Sequence, residues 1–338
     1  MGISKKPTLQ DIAELAGVTK MTVSKALRNQ EGVSENVKSK ILKIAKELDY
    51  DFTTPKYLRN SRTNNIAVLV PEVFMETEEI FYTSIFKYLC SEAVKKKYYL
   101  ILYVVTKEEE EHLVCPQLCR QDKVDGIIIL GQMRRRFVGE IKSTSLPVVL
   151  LDFNYTDTGL DCICTDNLEG MYSATKFLLE KGHREIGFVG NINLTNSIRD
   201  RYLGYYRAMI ERGIKINSSY VVKERDDENN DIDIVLPQTM PTSFVCNSDQ
   251  AAFRLMEALE KVNLRVPEDV SVIGFDDTLY SIISQPKLTT VSVNRKSMAE
   301  NAITMIMDLL ENANLMPRKV VVATTIIDRN SVITLRKK

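Results

Sequence analysis

Lys20, Met21, Thr22, Ser24 and Lys25 carry the most legible chemistry in the chain. Ser and Thr hydroxyls contact phosphates or base edges, and Lys donates to guanine. These residues act together only from the start of a helix that lies in a major groove. A second constellation, His112, Cys115 and Cys119, has the spacing of one helical face and invites a metal. A zinc site needs a fourth ligand or orienting partners. No paired motif supplies one and Pro116 interrupts the segment, so no metal is expected. There is no phosphate-cradling GxxxxGK loop, no HExxH and no GxSxG. The histidines are His112 and His183, and His183 sits in a KGHRE turn that reads as structural. Neither an enzyme nor a cofactor is expected.

Holding those residues at a helix start requires a small helical frame. Thr8 is expected to cap a helix from Leu9 to about Ala16, with Leu9, Ile12, Ala13 and Ala16 on one face. Gly17 ends it, because glycine tolerates the left-handed conformation at a helix end. Thr19 caps a second helix from Lys20 to about Arg28, and Ser34 a third from Glu35 to about Asp49. Two short helices joined by an Ala-Gly-Val turn form a helix-turn-helix, whose second helix reads DNA. Charge agrees: residues 1–63 carry nine Lys and three Arg against three Asp and four Glu, a net +5 in a chain of net charge 0. A basic head on an acidic body is the footprint of a polyanion reader joined to a different module. The competing reading is a three-helix domain that binds protein.

The remainder of the 338 residues alternates apolar runs with helical stretches. IAVLVP (66–71), YYLILYVV (98–105), VDGIIIL (124–130) and PVVLLDF (147–153) read as buried parallel strands. EIGFVG (185–190), SYVV (219–222), SFVCN (243–247) and VSVIGF (270–275) form a second series. Helices are expected at Glu79 to Lys97, Leu168–Lys181, Ile198–Arg212, Asp249–Val262 and Lys296–Glu311. This alternation specifies an α/β body of two doubly wound parallel-sheet lobes, each with its strand ends facing a cleft where ligands bind. The expected domains are an all-α helix-turn-helix domain at 1–50, a hinge at 51–64 and a body at 65–338. Within the body one lobe takes about 65–160 plus a crossover near 290–325, the other about 161–290 plus the C-terminal strand. The six cysteines read as reduced core thiols. No apolar run approaches a membrane span, and MGISKKPTLQ is no signal peptide, so a cytoplasmic protein is expected.

The segment TLQDIAELAGVTKMTVSKALRNQEGVSENVKSKILKIAKELDY resembles the DNA-binding head of the lactose/galactose-repressor family. The resemblance implies that Leu9, Thr19, Lys20, Met21, Thr22, Ser24, Lys25 and Ser34 lie at or near double-stranded operator DNA. The family often has Arg in place of Lys25 and Asn in place of Arg28. In the hinge TTPKYLRN, Leu58 stands for the family's minor-groove wedge, with Thr54 as a cap and Pro55 at the first helical position. The resemblance continues through DN..G (166–170), KGHREIGFVG (181–190), RDRYLGY (199–205), CNSDQAA (246–252), VPEDVSVIGFDD (266–277), PKLTTV (286–291) and IIDRNSV (326–332), and extends to the periplasmic sugar-binding fold. Residues 224–241 are shorter and more acidic than usual, and their register is open.

The same resemblance implies an effector pocket. Asp152 and Asp276 match hydroxyl acceptors at strand ends. Ser197 and Arg201 match polar positions in the second lobe, Ser248 a polar contact before a helix, and Phe81 and Tyr82 aromatics of the first lobe. Carboxylates and Arg bind polyols while aromatics cover apolar sugar faces. Asp249 reads more readily as a helix cap, Asp277 as the cap of the next helix, and Arg201 can pair with Asp276 in the empty state. Arg295, a cation near the pocket, keeps a phosphorylated sugar among the candidates. The expected protein is a homodimeric repressor of carbohydrate genes, controlled by a sugar or sugar phosphate. The alternatives are a catabolite-control regulator read by a phosphorylated carrier protein, and a sugar-binding protein without gene control.

Overall fold

Thr8 opens the first helix with a reciprocal cap. Its hydroxyl accepts from the Asp11 N–H, and the Asp11 carboxylate accepts from the Thr8 N–H at 2.6 Å. Helix α1 (Leu9–Ala16) ends at Gly17, whose φ of 72° lies in the left-handed region. The Lys40 ammonium closes the same end, donating to the Ala16 carbonyl at 3.0 Å. Helices α2 (Lys20–Leu27) and α3 (Glu35–Glu47) complete the head. Ile12, Ala13, Ala16, Val23, Ala26, Ile41 and Ala45 form its buried centre, flanked by Leu9, Val18, Leu27, Val37, Ile44 and Leu48. Ser34 holds the position before α3, but its hydroxyl makes no capping bond, contrary to expectation.

The computed structural model describes residues 8–27, 32–48, 62–76, 80–121 and 123–335. Arg28, Asp49 and the hinge TTPKYLRN, including Thr54, Pro55 and Leu58, lie outside the described residues. The chain divides into two compact units, Met1–Ser61 and Arg62–Lys338.

The body runs through β1 (Asn65–Pro71), α4 (Val73–Glu76), α5 (Ile80–Lys95), β2 (Tyr99–Val105), α6 (Lys107–Glu111), β3 (Gly126–Leu130), α7 (Arg135–Lys142), β4 (Val148–Leu151) and β5 (Asp161–Thr165). It continues with α8 (Asn167–Glu180), β6 (Ile186–Val189), α9 (Asn196–Glu211), β7 (Val221–Val222), β8 (Ser243–Cys246), α10 (Asp249–Lys261), β9 (Ser271–Asp276) and α11 (Leu279–Ile283). The last elements are β10 (Thr289–Val293), α12 (Arg295–Glu311), β11 (Lys319–Val322) and β12 (Thr324–Ile327). The first sheet has the order β11-β5-β4-β3-β1-β2 and is parallel throughout. The second, β12-β10-β9-β8-β6-β7, is parallel except at its edge, where β12 runs antiparallel to β10. Helices between successive parallel strands follow from the crossovers such strands require.

Two details depart from the sequence reading. Strand β5 pairs with β4 and β11, so Asp161–Thr165 belongs to the first lobe and the chain crosses to the second after it, not at 160/161. The expected strand at 219–222 shrinks to Val221–Val222, because Ser218–Tyr220 wind into a 3₁₀ turn closed by the Asn217 side chain. In the segment whose register the sequence leaves open, an Arg225–Asp231 bridge folds the chain back, and Ile234, Leu236 and Met240 pack on the second lobe's core.

Helices α8 and α9 touch backbone to backbone at Gly204. A Cβ there would collide with the Leu168 carbonyl oxygen and lie 2.8 Å from the Tyr172 N. Neither obstacle is a movable side chain. Gly204→Ala should therefore lower stability by about 1–3 kcal/mol or more, even though alanine favours a helix interior by roughly 1 kcal/mol. A denaturant titration checks this; an unchanged or raised midpoint would show that the two helices can part at little cost.

Candidate functional site

The strand ends of both sheets converge on a cavity lined by Phe81, Tyr82, Asp152, Ser197, Arg201, Ser248 and Asp276. Each residue expected at an effector pocket is thus placed on one wall or another of it. The cavity has a volume of about 90 Å³, room for a compact ligand.

On the first-lobe side, Asp152 follows β4 with φ 71°, a left-handed turn that takes the chain off the sheet. Its carboxylate accepts from the Tyr82 hydroxyl at 3.0 Å and from the Thr165 hydroxyl at 3.5 Å. Tyr82 is held from two further sides: the Phe74 ring stacks on it at 4.6 Å and the Phe81 ring meets it edge-on at 5.2 Å. Phe74, from the short helix α4, also lines the cavity; sequence reasoning missed it.

On the second-lobe side Arg201 is the hub. Its Nε donates to Asn167 Oδ1 at 2.7 Å, one terminal nitrogen donates to the Asn247 carbonyl, and the other donates to Asp276 Oδ1 at 3.1 Å. The guanidinium lies 3.8 Å above the Phe275 ring. Burial pushes the Asp276 carboxyl up, and Arg201 opposes that shift. Ser197 shares a hydrogen bond with the Thr195 hydroxyl at 2.8 Å, and Thr195 caps α9.

Ser248 caps α10 by accepting from the Ala251 N–H at 3.1 Å. This corrects the reading of Asp249 as the cap. Asp249 is fully buried and accepts instead from the Thr278 N–H, the Thr278 hydroxyl and the Thr290 hydroxyl. Desolvation dominates over those donors and pushes its carboxyl up to about 8. Asp277 does not cap α11 either; Thr278 precedes that helix, and Asp277 pairs with Arg329 at 2.7 Å. Arg295 donates to the Asp277 carbonyl at 3.0 Å, with its guanidinium 6.0 Å from the Phe81 ring, and is not among the lining residues.

Sequence reasoning also missed Arg225, Asn229, Asn247 and Gln250 on the cavity wall. Arg225 and Asn229 come from the irregular segment after β7, where no periodicity sets a register. Arg225 donates to Gln250 Oε1 at 3.0 Å and Asn229 Oδ1 at 3.3 Å, and its Nε faces Asp231 at 3.4 Å.

In the head, Thr19 Oγ1 accepts from the Thr22 N–H at 3.2 Å and lies 2.9 Å from the Thr22 hydroxyl, so these two residues fix the start of α2. Lys20 and Met21 are exposed, Met21 by 71%, while Ser24 and Lys25 are half-buried. Leu9 is half-buried against the head's core and Ser34 is exposed. His112 is exposed, with its ring 3.0 Å from the Glu108 carbonyl. His183 is buried between the Thr242 hydroxyl and the Ile333 carbonyl, and burial lowers its pKa. Among the described residues no group of His, Cys, Asp and Glu has the arrangement of a metal site, and no helix is long and apolar enough to cross a membrane.

Known proteins agree with this architecture along its length. Residues 8–51 match the model of bacterial regulatory proteins of the lacI family, and residues 175–332 match a periplasmic binding protein-like domain. The HTH-type transcriptional regulator RegA of Clostridium saccharobutylicum is 31% identical, over 96% of this chain and 99% of its own. The probable HTH-type transcriptional repressor ExuR of Bacillus subtilis (strain 168) is 29% identical, over 96% of this chain and 98% of its own. The cellobiose complex of the transcriptional regulator CelR superposes with a TM-score of 0.69 at 24% identity, covering 96% of this chain and 99% of that one. With a head that places a capped, basic helix at its surface and a two-lobed body enclosing a polar cavity, the chain belongs to the lacI family of bacterial regulatory proteins and is a DNA-binding transcriptional regulator.

Proposed function

We propose that this regulator represses carbohydrate-utilisation genes and that a small sugar-like effector in the inter-lobe cavity sets its operator affinity. The observation that carries this reading is the convergence of Asp152, Arg201 and Asp276, from separate strand ends and a helix, around a cavity with an aromatic side. Carboxylates and a guanidinium form charge-assisted hydrogen bonds to hydroxyls, and the rings of Phe74, Phe81 and Tyr82 suit the apolar face of a sugar. The relatives' names point the same way. ExuR is named a repressor, and CelR is complexed with cellobiose.

Control requires two arrangements of the lobes with different affinities for effector and operator. Bonds that span the cleft are the groups such a rearrangement would break. The Asn196 N–H donates to Gln132 Oε1 at 2.8 Å, the Asn196 amide donates to the Asn154 carbonyl at 2.9 Å, and Lys107 faces Glu228 at 3.8 Å. A pseudo-palindromic operator needs two heads at fixed spacing, hence a homodimer. Exposed Tyr99 and Ile101 on the edge strand β2, with Leu279, Ile282 and Ile283 on α11, offer apolar surface for it. The protein acts in the cytoplasm, without enzymatic activity. Gel shifts with promoter fragments from sugar-utilisation genes, repeated across a carbohydrate panel, test the whole reading. Operator binding that no carbohydrate alters would overturn the effector half.

A further inference from the structure

We propose that Cys115 and Cys119 are a thiol pair that peroxide oxidises to an intramolecular disulfide, with Cys115 as the attacking sulfur and Cys119 as the resolving one. The site is separate from the effector cavity, whose lining includes neither residue.

The two cysteines flank one tight turn. Cys115 and Pro116 precede the 3₁₀ turn Gln117–Cys119, and the Cys119 N–H donates to the Pro116 carbonyl at 3.0 Å. Both side chains belong to the apolar core of the first lobe, with Val124, Phe137 and Ile141. Their thiols share a hydrogen bond, and the Cys115 sulfur lies 3.8 Å from the Pro116 carbonyl. Sulfurs already in hydrogen-bond contact need only small side-chain rotations to reach the about 2 Å of a disulfide.

The surroundings assign the roles. Cys115 is 7% exposed and Cys119 2%, so Cys115 is the outer thiol. The exposed Arg120 guanidinium hydrogen-bonds to it and is anchored by Glu140. The hydrogen bond from Cys119 holds the Cys115 thiol down to about 7, with help from Arg120 and against burial and Glu140. The same hydrogen bond and burial push the Cys119 thiol up. A thiolate is the nucleophile toward peroxide, and a low-pKa thiol beside a resolving thiol is the arrangement that oxidises reversibly. Cys162 and Cys164 also share a hydrogen bond, but they stand two apart on one face of β5, about 6.6 Å between Cα atoms. That is the far limit of a disulfide's reach. Pairing with β4 and β11 keeps the strand from contracting, and the Asn154 amide donates to the Cys164 sulfur at 3.6 Å.

The Cys115 thiolate attacks one peroxide oxygen, the O–O bond breaks, and the product is a sulfenic acid. The Cys119 sulfur then attacks the Cys115 sulfur; the S–O bond breaks and hydroxide leaves with the Cys119 proton as water. In sum two thiols and hydrogen peroxide give one disulfide and two waters.

Peptide mapping of the full-length protein tests this. Reduced protein is treated with hydrogen peroxide, denatured, alkylated with iodoacetamide and cut with trypsin. Both cysteines fall in one peptide, Glu108 to Arg120. The expected result is that this peptide loses two hydrogens and takes up no alkyl group, that dithiothreitol reverses the change, and that Cys162 and Cys164 stay alkylated. Full alkylation of the Glu108–Arg120 peptide, at a peroxide exposure that oxidises free cysteine, overturns the proposal. So does preferential oxidation of Cys162 and Cys164. Cys119→Ser should stop at a Cys115 sulfenic acid that dimedone traps, and Cys115→Ser should leave Cys119 unreacted; dimedone on Cys119 instead overturns the assigned roles. Arg120→Ala should slow the loss of free thiol several-fold at pH 7, and an unchanged rate overturns the part given to the guanidinium.

Discussion

Replacing Arg201 by Ala should abolish the effector response while the head continues to recognise operator DNA. Arg201 is 5% exposed and joins three otherwise separate pieces of the second lobe: Asn167 at the start of α8, the Asn247 carbonyl after β8, and Asp276 at the end of β9. Its loss removes the donors that face the cavity and strands Asp276, which burial already pushes toward its neutral form. Breaking a buried pair from one side costs about 3–5 kcal/mol, so the variant's second lobe should also melt earlier. Arg201→Lys separates recognition from folding. Lysine keeps the charge beside Asp276 but lacks the planar fork that bridges three acceptors. It should recover much of the stability and little of the response. Operator titrations with and without the active sugar, beside thermal melts, provide the measurement. An Arg201→Ala protein that responds with the wild-type midpoint would place Arg201 outside the effector's reach.

How the body positions this residue explains which parts of the site can be read from sequence. Asp152 and Asp276 stand where predicted strands run out, and Arg201 lies one turn into a helix that follows another strand. Parallel strands bury both faces and so appear as continuous apolar runs, which makes their polar ends conspicuous. Arg225 and Asn229 have no such marker. They belong to residues 223–242, where a bridge and a few packed apolar side chains organise the chain, and neither leaves a periodic trace. Phe74 is hidden for a related reason, since α4 is a single turn immediately after β1. Asp249 shows a different limit. Ser248 and Asp249 are adjacent and both are good caps; only the fold reveals that the Thr278 and Thr290 hydroxyls turn the carboxylate inward and leave the serine to cap α10. The antiparallel direction of β12 is likewise invisible in a strand as short as TTII.

Operator recognition should be dominated by the head and should weaken steeply with salt. Each phosphate contact releases counterions, giving a log–log slope of about −0.9 per contact; six to ten contacts would cost roughly 10³–10⁵ in affinity between 50 and 200 mM salt. The positive excess of residues 1–63 in an otherwise acidic chain locates those contacts. Within the head, Lys20 and Lys25 should behave differently. Lys20 is the first residue of α2 and is exposed beside the Thr19 cap, a position suited to a phosphate. Lys25 lies in the last turn and is half-buried, so its stem is more restrained and its ammonium can be aimed at a base edge. We therefore expect Lys20→Ala to weaken all sequences alike and to reduce the salt slope by about 1 for each head bound. Lys25→Ala should instead cost roughly 1–3 kcal/mol on the preferred site and relax the preference at one position in each half-site. Selecting bound DNA from a random pool with wild type and both variants distinguishes the two effects. An unchanged sequence preference in Lys25→Ala, together with a reduced salt slope, would reassign Lys25 to the phosphate backbone and leave Met21, Thr22 and Ser24 as the base readers on this helix.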